Sequence, residues 1–180
     1  MKEFSLKFID IMIGIVLGLG FQWWPNLGGV WQYVAFAFVY LDIVDYWIDY
    51  SPSLKKFPPK REIDLIVDVA IMFAVFLYIY STQLTIFYFL GTFVLFRLFD
   101  FFWFWRVKSQ YQPTHTDKLF IDTWLRFDII EMIFALGLTT ITALISLSPG
   151  LSLMVLIIFI IFRIFMRILA SFRYKKVYFA

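Results

Sequence analysis

Apolar residues run through this chain in six long stretches, each broken from the next by a short polar or charged interval. They span Phe8 to Trp24, Val30 to Ile48, Ile63 to Tyr80, Thr85 to Trp105, Leu125 to Ile145 and Leu151 to Phe172. A helix that crosses a bilayer needs about 20 mostly apolar residues, and each stretch comes close to that. Barrel strands would alternate apolar and polar positions in segments of about ten, a rhythm these continuous runs lack. The pattern predicts an all-α polytopic membrane protein with six transmembrane helices in a single bundle domain over residues 1–180. Short connections make successive helices antiparallel, so they should pair as three hairpins.

Composition agrees. The chain is 62% hydrophobic and 16% charged, against about 45–50% and about 25% in soluble domains, so lipid is the expected solvent. The first stretch exceeds a secretory h-region and runs into Gln22-Trp23-Trp24-Pro25 instead of a small-residue cleavage site, which reads as a retained span. Cysteine is absent, excluding disulfides, thiolate catalysis and cysteine-ligated metal.

The basic residues fix an orientation. Lys2 and Lys7 precede the first stretch; Lys55, Lys56, Lys60 and Arg61 join the second to the third. Arg106, Lys108, Lys118 and Arg126 join the fourth to the fifth, and Arg173, Lys175 and Lys176 follow the sixth. The opposite connections, Gln22 to Gly29, Ser81 to Leu84 and Ser146 to Gly150, carry none. The positive-inside rule puts both termini in the cytoplasm, with the cell membrane the expected location. Topology thus accounts for the formal charge of +3; nucleic acid is not an expected partner, whereas anionic headgroups are. Trp23, Trp24, Trp31, Tyr46, Trp47, Tyr80, Trp103 and Trp105 lie near stretch ends, as interfacial belts require.

Against this background the acidic residues stand out. Carboxylates at membrane depth are costly and face a bundle interior, a partner charge or a wet cavity. Asp42, Asp45 and Asp49 lie in or just beyond the second stretch, Asp64 and Asp68 in the third. Outgoing helices share Ile9-Asp10-Ile11, Ile63-Asp64-Leu65 and Phe127-Asp128-Ile129; returning ones carry Asp42, Arg97 and Arg163. This suggests an internal repeat and one charged layer in which Arg97 and Arg163 neutralise Asp42, Asp64 or Asp128. Glu131 and Arg167, one turn along the same helices, would extend it. The candidate cluster is Asp42, Asp45, Asp64, Asp68, Arg97, Asp100, Asp128, Glu131, Arg163 and Arg167. It serves either as ion pairs that fix packing or as a vestibule for a cation, a proton or a polar headgroup.

Two families share parts of the pattern. Asp42-x-x-Asp45 followed by Asp64-x-x-x-Asp68 resembles the split aspartate motif of the CDP-alcohol phosphotransferases, six-helix enzymes of similar length. The resemblance implies Asp42, Asp45 and Asp64 as ligands of a divalent metal such as Mg²⁺, and Asp68 as base; clustered carboxylates suit such an ion. Tyr46 and Asp49-Tyr50 stand where that motif has Gly and Ala-Arg, and no glycine precedes Asp64. Trp124-Leu125-Arg126-Phe127-Asp128 resembles the start of the third helix of voltage-sensor domains, with Arg163, Arg167 and Arg173 on the last helix as sensor arginines. Leu151 to Phe162 is uncharged, so little charge would move through the field; a proton path lined by Asp100, Asp128 and Glu131 is the milder implication.

Weaker signals are His115, the sole histidine, in the polar loop Gln112–Asp117, and Gly14, Gly18 and Gly20, a small-residue face suited to close helix packing. No nucleotide-binding loop or hydrolase triad is present. Three functions follow. The first is a channel-like or transporter-like unit for an ion or proton, alone, as a homo-oligomer or within a membrane complex. The second is a lipid-headgroup enzyme using Mg²⁺. The third is a structural or assembly subunit docking through the aromatic run Phe99 to Trp105.

Overall fold

The computed structural model describes residues 2–145 and 147–174, and side chains from Lys7 onward. Ser146, Lys175 and Lys176, and the Lys2 side chain, lie outside the described residues. Six helices follow one another: α1 (Lys2–Gly20), α2 (Val30–Lys56), α3 (Glu62–Tyr80), α4 (Ile86–Tyr111), α5 (His115–Leu144) and α6 (Pro149–Arg173). Short 3-10 turns at Phe21–Asn26 and Ser81–Gln83 complete them, with no strand among the described residues. Five helices, all but α2, are long and apolar enough to cross a membrane. At 27 residues α2 has the length, but Gln32, Asp42, Asp45 and Asp49 dilute its apolar character.

Local chemistry sets the boundaries. Ser148 caps α6, its Oγ accepting from the Leu151 amide at 3.4 Å with Pro149 following, the favoured cap and first residue of a helix. Asp64 in the first turn of α3 accepts from the Lys60 and Arg61 amides at 2.9 Å each, filling otherwise orphaned donors. At the start of α2, Gln32 Oε1 accepts from the Gly28 and Gly29 amides, and its Nε2 donates to Gln83 O at 3.0 Å, tying two connections together.

The α4–α5 connection is much shorter than the hydropathy pattern suggests. Helix α4 runs on to Tyr111 and α5 begins at His115, leaving Gln112–Thr114 between them. Arg106, Lys108 and Lys118 are therefore helical, and His115 opens α5. Apolar length measures what lipid can cover; these flanks stay helical because they pack on each other, through Phe104 against Phe120 and Trp124. Likewise α2 continues through Pro52 to Lys56.

Helix contacts pass round the bundle from α1 to α3, α4, α5 and α6, then to α2 and back to α1. Consecutive pairs α1–α2, α3–α4 and α5–α6 do touch, but the largest interface is α4 on α5, and α1 meets α3 more extensively than it meets α2. Side chains of α2 reach across the interior, with Tyr46 on Phe96 and Tyr50 on Trp103. Away from the charges the core is aromatic, with Phe159 set edge-on against Phe89 and Phe93 and Tyr78 beside both phenylalanines. The outer face is apolar instead: Leu41, Phe73, Ile133 and Ile161 are each more than half exposed. A charged interior inside an apolar surface is the arrangement that lipid favours. Trp31, Tyr46 and Trp103 are buried in the bundle, whereas Trp24, Tyr80 and Trp105 are exposed. A methyl group at Gly14 or Gly18 would touch nothing, and of that face only Gly20 packs closely, against Tyr40 and Ile79.

Candidate functional site

Spacing puts Asp42, Asp45 and Asp49 on one stripe of α2, and Arg163 and Arg167 one turn apart on α6. The stripes meet. Arg163 Nη2 lies 3.0 Å from Asp42 Oδ1. Arg167 grips Asp45 fork to fork, Nε to Oδ2 at 2.7 Å and Nη2 to Oδ1 at 2.8 Å, while its Nη1 donates to Asp49 Oδ2 at 2.5 Å. The pairs advance in the same direction along both helices, so α2 and α6 are parallel. Tyr174, just past α6, accepts from Trp124 Nε1 at 3.0 Å and from Arg167 at 3.1 Å, and donates to Asp49 at 3.3 Å. Burial, then the neighbouring Asp49 carboxylate, pushes the Tyr174 hydroxyl above its ordinary range, so it stays a donor.

One turn deeper the network spreads to α4 and α5. Arg163 Nη1 donates to Glu131 Oε1 at 3.1 Å, and Glu131 Oε2 sits 2.8 Å from Arg97 Nε. Arg97 Nη1 donates to Asp100 Oδ2 at 3.1 Å and lies 3.6 Å from Asp128 Oδ1. Tyr46 donates to Asp100 at 3.2 Å. Asp42, Arg163, Glu131, Arg97, Asp100 and Asp128 thus form a continuous chain across four helices. Trp124 is its hub, with the guanidinium carbons of Arg97, Arg163 and Arg167 at 5.9, 6.0 and 5.6 Å from its ring, within cation–π range.

The deep part is not charge-balanced. Four carboxylates, Asp42, Asp100, Asp128 and Glu131, share two arginines, Arg97 and Arg163. Asp128 is fully buried and neither of its oxygens has a hydrogen-bond partner. A buried charge without compensation is strongly disfavoured. Beside the cluster lies a cavity of about 20 Å³ whose lining includes Asp45, Asp49, Arg97, Asp100, Trp124 and Arg167; it has room for about one water. Side-chain exposure falls from 36% at Asp45 and 16% at Arg167 to 1% at Arg97, so the cluster grades from a wet rim to a sealed interior.

Asp64 and Asp68 stand apart. Asp64 caps α3, also accepts from Gln110 Nε2 at 2.9 Å, and lies 3.9 Å from Arg106. Asp68 accepts from Tyr50 at 2.8 Å. The four aspartates of the phosphotransferase-like pattern therefore turn to different partners: Asp42 to Arg163, Asp45 to Arg167, Asp64 to backbone amides and Asp68 to Tyr50. Among the described residues no three carboxylates or histidines gather where they could hold a metal ion. The three outgoing aspartates are also unlike one another. Asp10 is exposed and accepts from Trp47 Nε1 at 3.3 Å, Asp64 is a helix cap, and Asp128 is sealed in the core. Tyr46, Tyr50, Tyr174, Trp124 and Arg106 belong to these networks but were not among the sequence candidates. Tyr46 and Tyr50 continue the aspartate stripe of α2 at helical spacing, which is the signal that could have found them.

No family model, no curated protein and no solved structure matches this chain.

Proposed function

We propose that this is an integral membrane protein of the cell membrane whose six helices all cross the bilayer, with both termini and the basic connections cytoplasmic, and that it takes up a proton or a monovalent cation at the cluster around Arg97. The observation that carries the reading is the sharing of two arginines by four buried carboxylates. Two negative charges are left over when all four are ionised, and low dielectric makes that state costly. Protons on two carboxylates would remove the excess, and a single monovalent cation would remove half of it. Asp45, the most exposed of the set, forms the entrance with Arg167 and the buried Asp49 behind it, and Asp128, without hydrogen-bond partners, is the terminal acceptor. The unit acts as a channel-like or transporter-like element, alone or in an assembly.

The test is flux in proteoliposomes under imposed pH and monovalent-cation gradients. Wild-type protein should dissipate one of them faster than empty vesicles, and Asp128→Asn should abolish the difference. Leak equal to that of empty vesicles under both gradients would remove the proposal. A second reading, an assembly subunit without transport, has an observation of its own: the cavity holds about one water, while the ion pairs tie four helices together. Under it, Asp128→Asn and Arg163→Gln lower abundance and partner retention with no flux to lose.

A further inference from the structure

A second pocket lies on the flank of the bundle between the start of α3 and the end of α4. It measures about 590 Å³ and its polar wall is Lys60, Arg61, Asp64, Arg106, Ser109 and Gln110. Ile63, Val67, Phe102 and Trp105 make the apolar wall. Arg106 is unusual there. Only 6% of it is exposed, yet none of its three guanidinium nitrogens has a hydrogen-bond partner. Its nearest carboxylate, Asp64, is 3.9 Å away and already accepts from two amides and Gln110. Guanidinium groups are matched to carboxylate and phosphate oxygens in fork geometry, and leaving such a group buried without an acceptor is costly.

The charges around it lean the same way. Three cations face one carboxylate, so the pocket carries an excess of positive charge that a phosphodiester would neutralise. The apolar wall continues from the polar one onto the outer face, where Ile63, Phe102 and Trp105 are exposed. An ion free in water has no use for that wall, whereas acyl chains do. We infer that this pocket binds the headgroup phosphate of an anionic phospholipid, with Arg106 taking the phosphate oxygens, Lys60 and Arg61 closing over them, and the acyl chains lying along Ile63, Val67 and Phe102. The site rests on the membrane placement proposed above and is independent of proton or cation uptake at Arg97.

Native mass spectrometry of the full-length protein in nonionic detergent tests it, with phosphatidylglycerol, phosphatidylcholine and inorganic phosphate as probes. Phosphatidylglycerol should be retained at least tenfold more tightly than phosphatidylcholine. Each exposed cation near a lipid surface contributes about fivefold, so Lys60→Gln with Arg61→Gln should weaken phosphatidylglycerol binding by about 25-fold; both residues are exposed, and an unchanged circular-dichroism spectrum of the double variant serves as the control for folding. Arg106→Gln should weaken it at least tenfold. Equal retention of the two lipids, or unchanged binding in the Lys60 and Arg61 double variant, would overturn the site. Displacement of phosphatidylglycerol by millimolar inorganic phosphate would overturn the lipid assignment. Because binding is read without flux, these results stand whatever the vesicles report.

Discussion

Arg97 and Arg106 lie nine residues apart on α4, in pockets of opposite character. Around Arg97 the acids outnumber the bases, every cation has a carboxylate within 3.1 Å, and all these side chains are buried. Around Arg106 the bases outnumber the acid, the guanidinium has no hydrogen-bond partner, and the pocket opens on the flank. The first is a closed network that lacks positive charge, the second an open one that lacks an anion. A buried charge is satisfied either from within the chain or from outside it. Here one helix carries an example of each, and the way each fails when altered should tell them apart.

The largest effect belongs to Arg97. Replacing it with glutamine leaves Asp100, Asp128 and Glu131 without their common partner, and breaking a buried pair from one side costs about 3–5 kcal/mol. Helix loss followed by circular dichroism through a denaturant titration in mixed micelles measures it. Asp128→Asn is the converse: it deletes one surplus charge at nearly constant volume, so stability should hold within about 1 kcal/mol or rise. If Asp128→Asn proves as harmful as Arg97→Gln, the cluster is balanced as it stands and the negative excess is fictitious.

Arg106 comes next and should differ in sign. In lipid-free detergent, Arg106→Gln removes a buried cation with no hydrogen bond to lose, and stability should be unchanged or rise by about 1–3 kcal/mol, the desolvation term of an unsatisfied group. Wild-type protein should gain stability from added phosphatidylglycerol, by the linkage of binding to folding, and the variant should gain little. A destabilisation of Arg97 size in Arg106→Gln, with or without lipid, would erase the distinction between the pockets.

Much of this was legible beforehand, for a specific reason. Long apolar runs report helices because lipid or a packed core must cover them, and the spacing of Asp42, Asp45, Asp49, Arg163 and Arg167 puts each set on one stripe whatever the tertiary fold. Which stripes face each other is another matter. The pattern assigns Asp64 to the same layer as Asp42, yet Asp64 sits in the first turn of α3 and gives its oxygens to the amides of Lys60 and Arg61, because a carboxylate there finds orphan donors nearer than any arginine. The similarity of Asp10, Asp64 and Asp128 in sequence likewise dissolves into an exposed residue, a cap and a core acid. In the sequence Trp124 is a motif residue and Arg106 a topology signal, since nothing in a single sequence tells a tryptophan under three arginines from one at an interface.

The smallest effect bounds the comparison from outside. Lys56 meets Asp117 and Lys108 meets Asp122, each at 2.7 Å, with side-chain exposures of 45% and 23% in the first pair. These contacts are shorter than the 3.0 Å between Arg163 and Asp42, yet water screens them and two flexible side chains must be ordered to make them. A double-mutant cycle on Lys56→Ala and Asp117→Ala should return about 0.2–1 kcal/mol, shrinking as salt is raised, whereas an Arg163 and Asp42 cycle should be larger and nearly independent of salt. Equal coupling in the two cycles would mean that the interior around Arg163 is as wet as the rim, and the depth assigned to the cluster would go with it.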